Sequence, residues 1–162
     1  MDSDMGPIII AISVALFLGV AGGLMTPIDR WYYDLRKPAW QPPDWAFGPA
    51  WTIILGLAAW SAVLAWEAAM GETQRATVII LFASNAVCHF KWSPLFFRLR
   101  RPDWALVEVA FLWASLVALV VLLWPISPLA SVLIWPYLAW VTFAAALNWA
   151  IVRLNRPFGR TA

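Results

Sequence analysis

Charge is scarce in this chain. Only 12% of its 162 residues are Asp, Glu, Lys or Arg, against 63% hydrophobic residues and a mean hydropathy of +0.75. That balance lies outside the range of a soluble domain and points to the membrane class. A single cysteine, Cys88, excludes an internal disulfide. A single histidine, His89, without a Ser/His/Asp set, phosphate loop or paired carboxylates, leaves no ordinary catalytic constellation and no metal cluster, so no catalytic or metal residue is assigned. A net charge of +2, with basic residues that follow topology, gives no nucleic-acid surface. The long runs lack the alternation of a barrel strand, which excludes a β-barrel. The start, Met-Asp-Ser-Asp-Met-Gly-Pro, is acidic where a cleavable leader is basic, so the first apolar run is expected to stay as a helix.

What the chain does have is long uncharged runs. Residues 5–28 carry no charge, nor do 45–66; 76–97 is broken only by Lys91; 109–152 has none and is long enough for two spans. The break in the last run falls at Trp124-Pro125-Ile126-Ser127-Pro128, because proline lacks a backbone donor and disfavours helix in the residue before it. The expected fold is an all-α membrane protein, a five-transmembrane-helix bundle in one domain over 1–162. Its helices are expected at about 5–28, 44–67, 75–98, 103–124 and 128–154, with a loop over 29–43.

With five spans, only Arg75 of the eleven Lys and Arg residues falls on the side of the N-terminus. Arg30, Arg36, Lys37, Lys91, Arg98, Arg100, Arg101, Arg153, Arg156 and Arg160 fall on the other. The positive-inside bias then predicts a multi-pass protein with its N-terminus out and C-terminus in.

The loop on the basic side is the densest feature. From Trp31 to Trp51 it holds Trp31, Trp40, Trp45 and Trp51, Tyr32 and Tyr33, Phe47, and Pro38, Pro42, Pro43 and Pro49. An interfacial aromatic belt accounts for tryptophans taken singly, but requires neither the prolines nor this density. Flat, rigid rings at a membrane edge offer a grip for a large planar ligand.

These residues carry a family resemblance. The pattern Trp31-Tyr32-x-x-Leu35-x-Lys37-Pro38-x-Trp40-x-Pro42-Pro43-x-Trp45-x-Phe47-x-Pro49-x-Trp51 resembles the signature of the TspO/MBR family, the tryptophan-rich sensory or translocator proteins and peripheral-type benzodiazepine receptors. Two further blocks agree: Trp92-Ser93-Pro94-Leu95-Phe96-Phe97, and Pro136-Tyr137-Leu138-Ala139-Trp140-x-Thr142-Phe143-Ala144-x-x-Leu147-Asn148. The resemblance implies a five-helix bundle, a homodimer in a lipid bilayer, and a pocket under the first loop. It also implies binding of porphyrin or haem as ligand rather than as an obligatory cofactor, and of sterols in some lineages.

Carried over to this chain, the pocket is expected to be lined by Tyr32, Trp40, Phe47, Trp51, Trp92, Trp140, Phe143, Ala144 and Asn148. Aromatic faces stack on a macrocycle, Ala144 leaves room, and the Asn148 amide fixes a polar edge. Arg30, Arg36 and Lys37 are expected at the mouth, either meeting carboxylate groups of a ligand or serving as positive-inside anchors. Many relatives carry Asn where this chain has His89. The histidine is open to three roles: ligating haem iron, donating to a ligand, or being satisfied within the bundle. Trp149 stands where vertebrate relatives have the Tyr of a proposed cholesterol pattern, so no specific cholesterol binding is expected.

Two structural expectations complete the reading. Lys91 and Glu108 reach similar depth on adjacent helices and are expected to pair, with snorkelling of Lys91 as the alternative. Ala11, Ala15, Gly19 and Gly23 recur every four residues and suit either packing inside the bundle or a dimer face. The function expected is a membrane receptor or sensor for a planar hydrophobic ligand, a tetrapyrrole first. The alternatives are a transporter of porphyrin, sterol-like or isoprenoid molecules, and a light-dependent porphyrin-degrading enzyme.

Overall fold

Five helices are long and apolar enough to cross a membrane, Gly6–Leu24, Asp44–Ala68, Glu72–Arg98, Pro102–Leu123 and Pro128–Asn155. The chain is thus an all-α, multi-pass membrane bundle. The computed structural model describes residues 5–159; the first four residues and Arg160 of the basic count lie outside the described residues. We label the helices α1 (Gly6–Leu24), α2 (Arg30–Asp34), α3 (Phe47–Ala68), α4 (Glu72–Ser93), α5 (Pro102–Leu123) and α6 (Pro128–Asn155).

Local chemistry sets the ends. α1 stops at Leu24, four residues before the expected Ile28. Gly22 and Gly23 weaken its last turn, Pro27 disfavours helix in the residue before it, and the Thr26 hydroxyl bonds the Gly22 carbonyl at 2.7 Å. Within the expected loop, residues 30–34 form α2, because the Asp29 carboxylate accepts from the Tyr32 amide at 3.2 Å as an N-cap. A 3-10 turn, Asp44–Ala46, leads into α3. The third span does not stay α-helical to residue 98. From Pro94, which lacks a donor, it widens into a π-helical segment, Pro94–Arg98. Ser127 starts α6 by accepting from the Ala130 amide at 3.3 Å.

Around the bundle the order is α1, α3, α6, α5, α4, with the α1 to α4 contact the thinnest. Leu112, Leu116, Leu119 and Leu123 of α5 are buried at helical spacing against Ile134, Tyr137 and Val141 of α6. Lipid is as apolar as leucine, so close packing and interhelical hydrogen bonds must hold the spans together. Ser61 Oγ donates to the Ala130 carbonyl at 2.7 Å and Ser131 Oγ to the Val120 carbonyl at 2.6 Å. Asn85 Nδ2 donates to Ser115 Oγ at 2.9 Å and Trp113 Nε1 to Thr142 Oγ1 at 2.9 Å. Each such tie contributes on the order of 0.6–2 kcal/mol.

The small-residue stripe of α1 runs along the hollows beside that helix. A Cβ on Gly19 would stand 3.6 Å from Leu55 Cδ1 of α3, and all four stripe residues border hollows inside the bundle. Ala11 and Ala15 are half-buried there, whereas Gly19 and Gly23 are exposed and a Cβ on Gly23 would meet nothing within 4 Å, so both packing and a dimer face suit the stripe. The Lys91 to Glu108 pair does not form. Among the described residues the ion pairs are Arg30–Asp34, Arg100–Asp29 and Arg101–Asp103. Glu108 is buried with Oε2 unpaired, whereas Lys91 is exposed. Its flexible stem lets the ammonium leave the apolar interior, which costs less than burying both charges.

Candidate ligand-binding site

The capping loop is tied down at several points. Tyr32 is buried, its hydroxyl donating to Asp44 Oδ1 at 3.0 Å and accepting from Gln41 Nε2 at 3.1 Å. Burial, then the hydrogen bond to Asp44, pushes its pKa from 10.0 up to about 12. Its ring lies 5.5 Å from that of Phe97, and the Lys37 ammonium sits 3.9 Å over its face. Arg100 pairs with Asp29 at 2.9 Å. At the far end, Asn155 Oδ1 accepts from the Arg36 amide while its Nδ2 donates to the Arg36 carbonyl, both at 2.8 Å.

Beneath the loop lies a cavity of about 490 Å³, inside the range of small-molecule sites. Tyr32, Phe47, Trp51, His89, Trp92, Trp140, Ala144 and Asn148 are all in its wall. Trp40 and Phe143 are not. Trp40 is 50% exposed and packs edge-on against Phe143 at 5.6 Å, behind the wall rather than in it. Arg30, Arg36 and Lys37 are also outside the wall, and the Arg30 side chain is 96% exposed beside Asp34.

Edge-to-face contacts set the ring orientations. Trp51 stands perpendicular to Trp140 at 6.2 Å, to Tyr137 at 5.9 Å and to His89 at 4.9 Å; Phe47 meets Trp140 at 5.8 Å. His89 Nδ1 shares a 2.7 Å hydrogen bond with Tyr137 Oη. Three buried polar atoms of residues that line the cavity have no hydrogen-bond partner: Trp92 Nε1, Trp140 Nε1 and Gln41 Oε1. Leaving such atoms unmet in an apolar site costs about 1–3 kcal/mol each.

The Asn148 amide is committed elsewhere. In the orientation that satisfies both of its ends, Nδ2 donates to the Pro102 carbonyl at 3.0 Å and Oδ1 accepts from the Leu106 amide at 3.1 Å. It thus braces the first turn of α5. Not anticipated from the sequence were the α1 wall, with Leu18, Gly22 and Gly23, and the polar pair Gln41 and Asp44. The glycine-rich end of the first run was the available signal, since a helix without side chains leaves space beside it.

A second hollow, about 710 Å³, lies between α1, α3 and α4 toward the end away from the loop. Alanines of all three helices line it, with Asn85 and Tyr137 also in its wall. Leu18 and Leu55 belong to both hollows.

A bundle of five membrane spans whose first connection folds over an aromatic cavity defines a class of small membrane proteins with an internal site. The comparisons place the chain within that class: it belongs to the TspO/MBR family, whose model matches residues 11–154. It is 36% identical to the translocator protein of Homo sapiens over 127 residues, 78% of this chain and 75% of that protein. It is 34% identical to the tryptophan-rich protein TspO of Chlorobaculum tepidum over 157 residues, covering 96% and 99%. It is also 34% identical to protein CrtK of Rhodobacter capsulatus over 137 residues, 85% of each.

Proposed function

We propose that this chain is a membrane receptor or sensor that takes a planar hydrophobic ligand, a tetrapyrrole of the porphyrin and haem class, into the cavity under the capping loop. The observation that carries the reading is the cavity of about 490 Å³ beneath the loop, walled by the rings of Phe47, Trp51, Trp92 and Trp140. Apolar walls made of ring edges grip the face of a flat ligand. In this reading the protein is a homodimer, with the loop and the C-terminal end on the cytoplasmic face. Titration of the purified protein with protoporphyrin, followed by tryptophan fluorescence, tests it. Micromolar or tighter binding, lost in Trp51→Ala, is expected. Equal quenching in the variant would mean partitioning into detergent and would end the proposal.

A carrier function is the second reading, favoured by the two hollows at different depths that share Leu18 and Leu55. Time-dependent accumulation of protoporphyrin in proteoliposomes would establish it; binding without accumulation leaves the receptor.

A further inference from the structure

The second hollow, about 710 Å³, is open on one side. Ile10 and Val14 of α1 and Ile79 and Ala83 of α4 belong to its wall and are also exposed, so it gives sideways onto the seam where those two helices touch least. Both helices are membrane spans. What lies outside the seam is therefore the hydrocarbon of a bilayer.

The wall sets what can enter. None of the described residues in it is charged. The Asn85 amide nitrogen is engaged with Ser115 Oγ at 2.9 Å, and Tyr137 Oη with His89 Nδ1 at 2.7 Å. A buried water needs about two to four polar partners, and this wall offers no such set, so it suits hydrocarbon instead. The length fits as well. From Gly6 to Leu18 the wall runs about 18 Å along α1 at 1.5 Å per residue. One leaflet supplies about 15 Å of hydrocarbon, half of a core roughly 30 Å thick. The hollow thus spans one leaflet, from the membrane face away from the capping loop to the middle of the bundle.

A separate observation marks its outer end. Trp66 of the wall carries the Arg75 guanidinium over its ring at 5.2 Å. Arg75 is exposed and, among the described residues, is in no ion pair. Of the eleven Lys and Arg residues it alone falls on this face. A guanidinium at headgroup level matches the oxygens of a phosphate with two parallel donors.

We propose that this hollow is a lipid site, which holds one acyl chain of a phospholipid from the leaflet on that face, with the phosphate on Arg75. It is a different hollow from the cavity under the loop, and the planar-ligand reading stands or falls without it.

The test uses the purified full-length protein, stripped of lipid in detergent and titrated with palmitoyl-oleoyl phosphatidylglycerol, with native mass spectrometry counting the lipids retained. One lipid per protein is expected to be held more tightly than the rest. Ala62→Phe fills the hollow and should weaken that first lipid about fivefold or more, whereas Ala110→Phe, on an exposed position that borders neither hollow, should not. Arg75→Gln, at an exposed position that leaves the packing intact, should also weaken it about fivefold and remove its advantage over a diacylglycerol with the same acyl chains. In nanodiscs of the same phospholipid, a photoreactive group midway along the acyl chain should cross-link to the wall residues of α1, α3 and α4. Equal lipid retention in Ala62→Phe and Ala110→Phe, or labelling spread evenly over all five spans, would mean ordinary surrounding lipid and would overturn the proposal. So would cross-linking of Ile10 and Ile79 to a second copy of the protein with no lipid retained, which would make the seam a dimer face.

Discussion

Asn155 pairs with both backbone groups of Arg36, 119 residues away, as one β-strand residue pairs with another. One side-chain amide thereby fastens the capping loop to the end of the last span. Asn155→Ala removes both hydrogen bonds to the loop, along with a third to the Ile151 carbonyl within α6; the two to the loop are a loss of about 1–2 kcal/mol. Faster amide hydrogen exchange across residues 29–43 is expected, with α5 and α6 unchanged. If exchange in the loop does not change, the loop is held by its other contacts alone.

Gly22 lines the cavity, and a Cβ there would meet nothing within 4 Å. Gly22→Leu should fill the space without disturbing the packing and reduce protoporphyrin binding at least tenfold. Gly56 offers the control: it also has nothing within 4 Å but borders neither hollow. Both changes give the helix a better former than glycine, so thermal stability should hold or rise in both. Equal binding in the two variants would place the ligand elsewhere.

Trp140→Phe and Trp92→Phe keep an aromatic ring and delete an unpaired donor. Without ligand, each should unfold at the same temperature as wild type or higher, because a buried unmet group is removed. A ligand that uses the donor should lose about 1 kcal/mol, or roughly fivefold in affinity, in each variant. A fall in stability without a change in affinity would show these donors to be structural.

Glu108 keeps an unpaired buried oxygen and lacks a lysine partner within ion-pair distance. Glu108→Gln should therefore leave the melting temperature in detergent unchanged or raised. A drop of several degrees would reinstate a pair with Lys91.

The Tyr32 hydroxyl has its pKa raised from 10.0 to about 12. A folded-state value above the unfolded one stabilises the fold fully below the unfolded value, and that stabilisation disappears as pH rises through the folded value. Stability should therefore fall between about pH 10 and 12, and Tyr32→Phe should flatten that fall, as read from thermal melts across the range. An identical slope would mean that the tyrosine ionises as freely in the fold as outside it.

Much of this architecture was legible from residue order because the bilayer makes it so. Uncharged runs of span length have few alternatives in lipid, and Pro125, Pro128 and Ser127 mark their own turn. The aromatic site was legible because Trp51, Trp92 and Trp140 stand in spaced blocks that fold onto one cavity. Side-chain commitments were harder. Whether the Asn148 amide faces a ligand or the first turn of α5 depends on the crossing of α5 and α6, which no local pattern encodes. Trp40 and Phe143 satisfy one another behind the wall, a pairing that composition cannot distinguish from two lining residues. Lys91 and Glu108 share a depth but not a meeting point, because equal depth leaves rotation about each helix axis unspecified.

Leu18 and Leu55 each contribute to two walls at once. A side chain serving as partition between neighbouring chambers has one position to offer both, so a guest that displaces it on one side redraws the shape on the other. Free energy spent or gained on that movement is common to the two occupants, and by reciprocity each must report the other's presence.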